Sequence, residues 1–286
     1  SSERKDTIIN CAANVKHFSS GTDIEDINFG GVINGLKFAK MQNAKYVQVS
    51  TYSISGESVN NYPPVDVKFK EDDLFIGQKV DNQYLSSKFL AERAVLEAAV
   101  DDDLDVKIMR VGNLMARSSD SEFQINFESN GFINRLKAFV TIGKMPYSML
   151  MNNVEFSPID TTAKAILNLS KTPKDCRVFH PYDYHSVSFG DIIEIIRPLG
   201  LDIQPVEDDE YQKALDEALA DKTKQEGVSG LITSIGSGKV KKIWLPVDNV
   251  YTIQSMYRLG IKWPFVSEEY IYNFIKYLVD LDFFSV

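Results

Sequence analysis

The sequence predicts an α/β fold: a mostly parallel sheet with helices on both faces, followed by a smaller, mainly helical C-terminal lobe. Two observations carry that expectation. Short apolar runs at 7–13 (TIINCAA), 46–50 (YVQVS) and 106–111 (VKIMRV) alternate with longer segments of helical spacing at 26–41 and 82–100. Such alternation requires crossover connections, which pair successive strands in parallel and lay the intervening helices on the sheet. Beyond Gly112 the alternation loosens and helical patterns predominate.

Each element has its own warrant. The 7–13 run is apolar and ends in polar loop residues, and the helix over 26–41 carries Gly31 and Gly35 on one face. In 46–50, Val47 and Val49 point to the same side of a strand. A polar stretch with Pro63 and Pro64 separates that strand from the helix over 82–100. The segment 118–130 reads as loop, 131–140 as helix, and 154–160 as the lead into a helix over 161–170. A further strand is expected over 177–182 (RVFHPY), then a helix over 188–199 opened by Ser188 with Asp191 in its first turn. The polar helix over 207–225 has a thin apolar stripe of Tyr211, Leu215 and Leu219. The helix over 248–259 stops at Gly260, and Ser267 caps a last helix with Glu268 and Glu269 in its first turn. The expected domains are a core over 1–117, to which 152–187 returns, and a lobe built from 118–151 and 188–286.

Composition narrows the function classes. With 44% hydrophobic residues, 25% charged residues and a formal net charge of −9, the chain advertises neither a nucleic-acid-binding face nor attraction to anionic lipid. Cys11 and Cys176 are far apart and lack CxxC spacing, which suggests a reducing compartment. His17, His180 and His185 form no metal-ligand spacing, so no metal is expected. No apolar run has the roughly 18 residues a membrane span needs, and no signal peptide opens the sequence; the cytoplasm is the expected location. The 236–239 stretch (GSGK) is not a P-loop, because Thr233 stands where the upstream glycine belongs and Val240 replaces the magnesium-binding hydroxyl.

The candidate chemistry centres on Tyr84 and Lys88. Residues four apart share a helix face, so an ammonium would lie beside a phenol. A nearby cation favours phenolate and is expected to bring the tyrosine down from its ordinary value of about 10. That would suit a proton donor to a carbonyl accepting hydride. The spacing recurs at Tyr272 and Lys276, in a helix rich in Tyr, Ile and Phe where packing explains it. Context separates the two pairs. Thr51 ends a strand 33 residues before Tyr84, and a hydroxyl at a strand's carboxyl end faces the crevice where open α/β sheets bind ligands. Thr51 would then hydrogen-bond the carbonyl oxygen that Tyr84 protonates, while Ser50 points to the opposite face.

The motifs Asn10-Cys11-Ala12-Ala13, Asn28-Phe29-Gly30-Gly31, Val49-Ser50-Thr51, Tyr84-x-x-x-Lys88 and Arg110-Val111-Gly112-Asn113, in that order, resemble the extended short-chain dehydrogenase/reductases. Pro158-Ile159-Asp160 and Leu259-Gly260-Ile261-Lys262-Trp263-Pro264 are similar, more narrowly, to the terminal thioester reductase domains of nonribosomal peptide synthetases and the reductase domain of carboxylic acid reductases. The resemblance runs through nearly the whole chain. It implies a Rossmann-like core, NADPH (or NADH) as cofactor, and reductive release of an acyl or peptidyl thioester from a phosphopantetheinylated carrier protein in the same polypeptide. It further implies Tyr84 as general acid, Lys88 as holder of the nicotinamide ribose and Thr51 as the group polarising the carbonyl. Ala12 and Ala13 would line the adenosine side, and Gly112 and Asn113 would sit near nicotinamide and substrate. Asn28 is either a cofactor-side residue or a helix N-cap. Arg110 reads as support for its strand end, and His180 and His185 as structural. A carrier protein would dock on the C-terminal lobe near 207–225, helped by Lys239, Lys241 and Lys242.

The sequence departs from the family in one respect. A dinucleotide-binding unit opens with a strand, a glycine-rich turn and a helix, and no G-x-G-x-x-G occurs here. The first βαβ unit is therefore expected to be missing, the chain being a fragment short of roughly 60 to 100 upstream residues, or a truncation that binds cofactor poorly. Two rivals share these motifs: another extended family member, such as a nucleotide-sugar epimerase, dehydratase or hydroxysteroid-type dehydrogenase, and a non-catalytic domain that docks a carrier protein.

Overall fold

The computed structural model describes residues 6–14, 23–127, 130–232 and 242–284. His17, the 236–239 stretch, Lys239 and Lys241 lie outside them, as does the side chain of Lys242. The chain divides into two units. One comprises Ser1–Asn113, Thr162–Tyr182 and Lys239–Trp263; the other comprises Leu114–Thr161, Asp183–Gly238 and Pro264–Val286.

The first unit is built on a four-stranded, fully parallel sheet in the order β1 (Thr7–Asn10), β2 (Lys45–Thr51), β3 (Val106–Val111) and β4 (Val178–Phe179). All six residues of β3 are buried, as expected for a central parallel strand covered on both faces. Two helices, α1 (Gly31–Gln42) and α2 (Gln83–Asp101), pack Val32, Leu36, Val95 and Ala99 against Tyr46, Val106 and Ile108. Fully burying aliphatic side chains of this size contributes about 1.5–3 kcal/mol each before entropy is counted. The fold class matches the expectation, with shorter outer strands. The 7–13 run leaves the sheet after Asn10, and the 177–182 run pairs only at Val178 and Phe179.

Local chemistry sets the helix limits. Asn82 caps α2 by accepting from the Leu85 N–H at 2.7 Å, and Asn43 ends α1 in the left-handed region at φ 49°. Gly35 has a packing reason: a Cβ there would lie 2.8 Å from the Tyr46 ring, whereas at Gly31 it would meet nothing within 4 Å.

The second unit has its own core, in which Phe139, Phe156, Phe189 and Phe274 are prominent. It holds helices Gly131–Ile142, Phe189–Ile196, Asp208–Ala220, Gln225–Ile232 and Glu268–Asp280, with three two-stranded sheets. Ser188 and Ser267 cap their helices as expected, accepting from the Asp191 and Tyr270 N–H groups. The 207–225 helix is interrupted, ending at Ala220 and resuming at Gln225. Lys276, of the second Y-x-x-x-K, is exposed and pairs with Asp280. Among the described residues no helix is long and apolar enough to cross a membrane.

Candidate active site

Strand register brings the expected site residues to one edge of the sheet. Because the strands are parallel, their carboxyl ends coincide, and Thr51 pairs in register with Val111. Gly112 and Asn113 therefore emerge beside Thr51. Asn10 pairs with Gln48, so Cys11, Ala12 and Ala13 continue along the level of the last β2 residues. Ala13 is half-buried and Ala12 exposed. The Ala12 N–H donates to Asn10 Oδ1 at 3.1 Å, which turns the chain off the sheet.

Thr51 has extended backbone at φ −132° and caps the following turn, Tyr52–Ser55, by accepting from the Ser53 N–H at 3.1 Å. That turn ends at Gly56, whose φ of +63° lies in the left-handed region and whose missing Cβ would stand 2.5 Å from the Lys79 carbonyl oxygen. Gly56→Ala is thus expected to cost on the order of 2–3 kcal/mol, read as a lower urea midpoint. A loss below about 0.5 kcal/mol would show that the turn relaxes freely.

The Tyr84 phenol is hydrogen-bonded to the Thr51 side chain. Lys88, one helical turn on and only 4% exposed, donates to the Val49 carbonyl at 3.1 Å. One strand end thus engages both functional groups of the Y-x-x-x-K pair. The electrostatics differ from the expectation that a nearby ammonium would pull the phenol toward neutrality. Burial pushes Tyr84 up to about 12, with the Thr51 hydrogen bond acting against it. A buried phenol loses more by giving up its proton than these neighbours return, so Tyr84 stays protonated at neutral pH. Burial likewise brings Lys88 down to about 8, opposed by the negative charge of Glu92 and by Cys11.

Asn28 is not a helix cap. It lies inside the helical turn Asp26–Gly30 and is 2% exposed. Its Oδ1 accepts from the Asn14 N–H at 2.7 Å, and its Nδ2 donates to the Asn14 carbonyl at 3.0 Å and to Ser87 Oγ at 3.1 Å. Ser87 Oγ in turn donates to the Tyr84 carbonyl at 2.7 Å. Asn28 therefore ties the loop after β1 to the turn of α2 that carries Tyr84 and Lys88. Asn113 donates to the Tyr52 hydroxyl at 3.3 Å, and Tyr52 stacks on Tyr182 at 5.3 Å between centroids.

Sequence reasoning missed Ser87, Tyr52, Tyr182 and Glu92. Ser87 and Glu92 had a signal in their position on the α2 face that carries Tyr84 and Lys88. The Tyr52–Tyr182 stack had none, because its partners are distant in sequence.

These residues fit the nicotinamide-ribose end of a dinucleotide. The Lys88 ammonium has three donors, of which the Val49 carbonyl takes one, and a phenol and a hydroxyl converge on one strand end. The sequence has no glycine-rich turn of the kind that receives a pyrophosphate. Among the described residues no cluster of three His, Cys, Asp or Glu would hold a metal ion.

The model of an NAD-binding family described as male sterility protein matches residues 2–166. A thiolation-reductase di-domain from an archaeal non-ribosomal peptide synthetase is 39% identical with a TM-score of 0.87, over 99% of this chain and 59% of that one. This chain therefore spans little more than half of that relative. The aureusimine biosynthetic cluster reductase domain is 25% identical with a TM-score of 0.78, over 97% of this chain and 69% of that one. A UDP-galactose 4-epimerase, 14% identical with a TM-score of 0.60 over 96% of this chain and 79% of that one, shares the fold alone. A search of curated proteins gave no significant match.

Proposed function

The chain belongs to the NAD-binding family described as male sterility protein, and from that premise we propose that it is a nicotinamide-dependent reductase releasing a carrier-bound acyl or peptidyl thioester as an aldehyde. The observation that carries this reading is the Thr51–Tyr84 hydrogen bond beside buried Lys88 at the carboxyl edge of a parallel sheet. The likeness to a thiolation-reductase di-domain at 39% identity supports the choice of substrate class. The 14% likeness to an epimerase lends nothing comparable to the nucleotide-sugar alternative.

The bound nicotinamide would supply hydride to the thioester carbonyl carbon, with NADPH the proposed form and NADH the alternative. Tyr84, protonated at neutral pH, delivers its Oη proton to the carbonyl oxygen as negative charge develops there. Thr51 holds the phenol by hydrogen bond and orients it toward that oxygen. Lys88 offers its ammonium to the ribose hydroxyls and adds positive charge beside the reacting oxygen. Ala12 and Ala13 would line the adenosine side, and Gly112 and Asn113 the nicotinamide and substrate side. Asn28 acts one step back, through Asn14 and Ser87. The product of the first addition is a hemithioacetal; breaking its C–S bond releases the carrier thiol and the aldehyde, and a second reduction would give an alcohol. The carrier is proposed to lie in the same polypeptide, and the reaction to take place in the cytoplasm.

The test is nicotinamide consumption with an acyl-pantetheine thioester, with cofactor concentration set from a fluorescence titration and the aldehyde trapped by a hydrazine. Thioester-dependent oxidation of NADPH with stoichiometric aldehyde is expected. Turnover of a nucleotide sugar instead would favour an epimerase or dehydratase. No oxidation with any thioester at saturating cofactor would leave the carrier-docking reading in possession.

A further inference from the structure

Lys88, Glu92 and Arg110 form a run of alternating charge inside the first unit, and the chemistry above uses only its first member. Lys88 and Glu92 stand one turn apart on α2, 4% and 0% exposed. Glu92 Oε2 receives Arg110 Nε and Nη2, each at 2.9 Å. Its Oε1 is buried with no hydrogen-bond partner among the described residues. One carboxylate oxygen is thus committed to the guanidinium, and the other is left in the interior without a hydrogen bond among the described residues.

Arg110 is itself immobilised. Its Nη1 donates to the Lys70 carbonyl at 3.3 Å, its Nη2 to the Asp73 carbonyl at 2.7 Å, and His180 Nε2 lies 3.0 Å from Nη1. A guanidinium fixed by two other segments of chain, 70–73 and the residue after β4, is held in place, and the carboxylate it grips is held with it.

We propose that Glu92, oriented by Arg110, is a positioning residue that holds the Lys88 side chain as a buried ammonium aimed at the carboxyl end of β2. Its bearing on catalysis rests on the reductase reading. The reason is Coulombic: opposite charges one turn apart in a low-dielectric interior attract far more strongly than in water. The groups facing Lys88 are Glu92 from α2, the Val49 carbonyl from β2 and Cys11 from the loop after β1. Arg110 faces Glu92 from β3, backed by His180, which burial and Arg110 hold down at about 3 and therefore neutral. Within this set Glu92 opposes the desolvation that strips Lys88 of its proton.

The experiment follows Lys88 itself. In the chain labelled with 13C,15N-lysine and free of cofactor, the Lys88 side-chain signal is assigned by its absence in Lys88→Met and titrated with pH. In Glu92→Gln, which keeps an acceptor for Arg110 but removes the charge, the midpoint should fall by about one pH unit or more, a tenfold loss of proton affinity. Glu92→Asp, which keeps the charge but withdraws it by one methylene, should show a smaller fall in the same direction, and decides the matter if Glu92→Gln does not fold. The alkaline limb of thioester turnover should move to lower pH by the same interval, with the rate below it retained. An unmoved Lys88 midpoint in folded variants overturns the proposal even where turnover is intact. A moved midpoint in a chain that turns over no thioester upholds the electrostatic link while removing the reductase reading.

Discussion

Tyr84→Phe is expected to slow thioester reduction by about 10²–10⁴-fold while leaving the fold and cofactor affinity unchanged. The ring of phenylalanine fills the same space, so the packing of α2 on the sheet is preserved. What disappears is one O–H, the group bonded to Thr51 and the proposed proton donor to the substrate oxygen. The pH profile supplies a second reading. Tyr84 remains protonated up to about 12, whereas Lys88 loses its charge above about 8. Lys88 is needed charged, so the rate should be full below that lower value and fall as pH rises through it. The alkaline limb of the wild-type chain therefore reports the lysine, and the residual rate of Tyr84→Phe should keep the same limb. Steady-state turnover over pH 6–10 is the measurement. A Tyr84→Phe rate within about threefold of wild type would remove tyrosine from the proton-transfer role.

Arg110→Ala carries the largest expected effect on stability, a loss of about 3–5 kcal/mol in urea unfolding. The guanidinium is fully buried, ion-paired to Glu92, hydrogen-bonded to main-chain carbonyls of the 70–73 segment and placed 5.0 Å from the Phe69 ring. Removing it strands a buried carboxylate and leaves those carbonyls without their donor, which costs more than the pair itself contributes. His180 also loses its partner at Nε2; its Nδ1 still faces the Asp248 carbonyl at 2.6 Å. Arg110→Lys should recover little, because an ammonium is a point charge and cannot reproduce the fork that reaches Glu92 and three main-chain carbonyls together. A loss under about 1 kcal/mol for Arg110→Ala would mean that the 70–73 segment and Glu92 find water or other partners, contrary to the network described.

How far the site was legible varies residue by residue. Thr51, Tyr84 and Lys88 could be found because each lies in a periodic element whose direction follows from its pattern: a strand end for Thr51, one helix face for the other two. The supporting role read for Arg110 agrees with its burial and its bonds to main-chain carbonyls. Asn28 reads from sequence as either a cofactor-side residue or a cap, because a helix start looks the same whether its asparagine turns back on its own turn or reaches Asn14 and Ser87. The expected fall in the Tyr84 proton affinity failed because spacing reveals a neighbouring cation but not the depth of burial, and burial dominated.

The parallel sheet, the crossover helices and the placing of a hydroxyl, a phenol and an ammonium near one strand end could all be read from the order of residues. Those properties follow from periodicity and chain direction, which are local. The protonation of the phenol, the clamp from Asn28 to Ser87 and the grip of Arg110 on Glu92 emerge only once the chain is folded. Each depends on which groups meet across tens of residues and on how much water they lose in meeting, and neither quantity is written in any single stretch of chain.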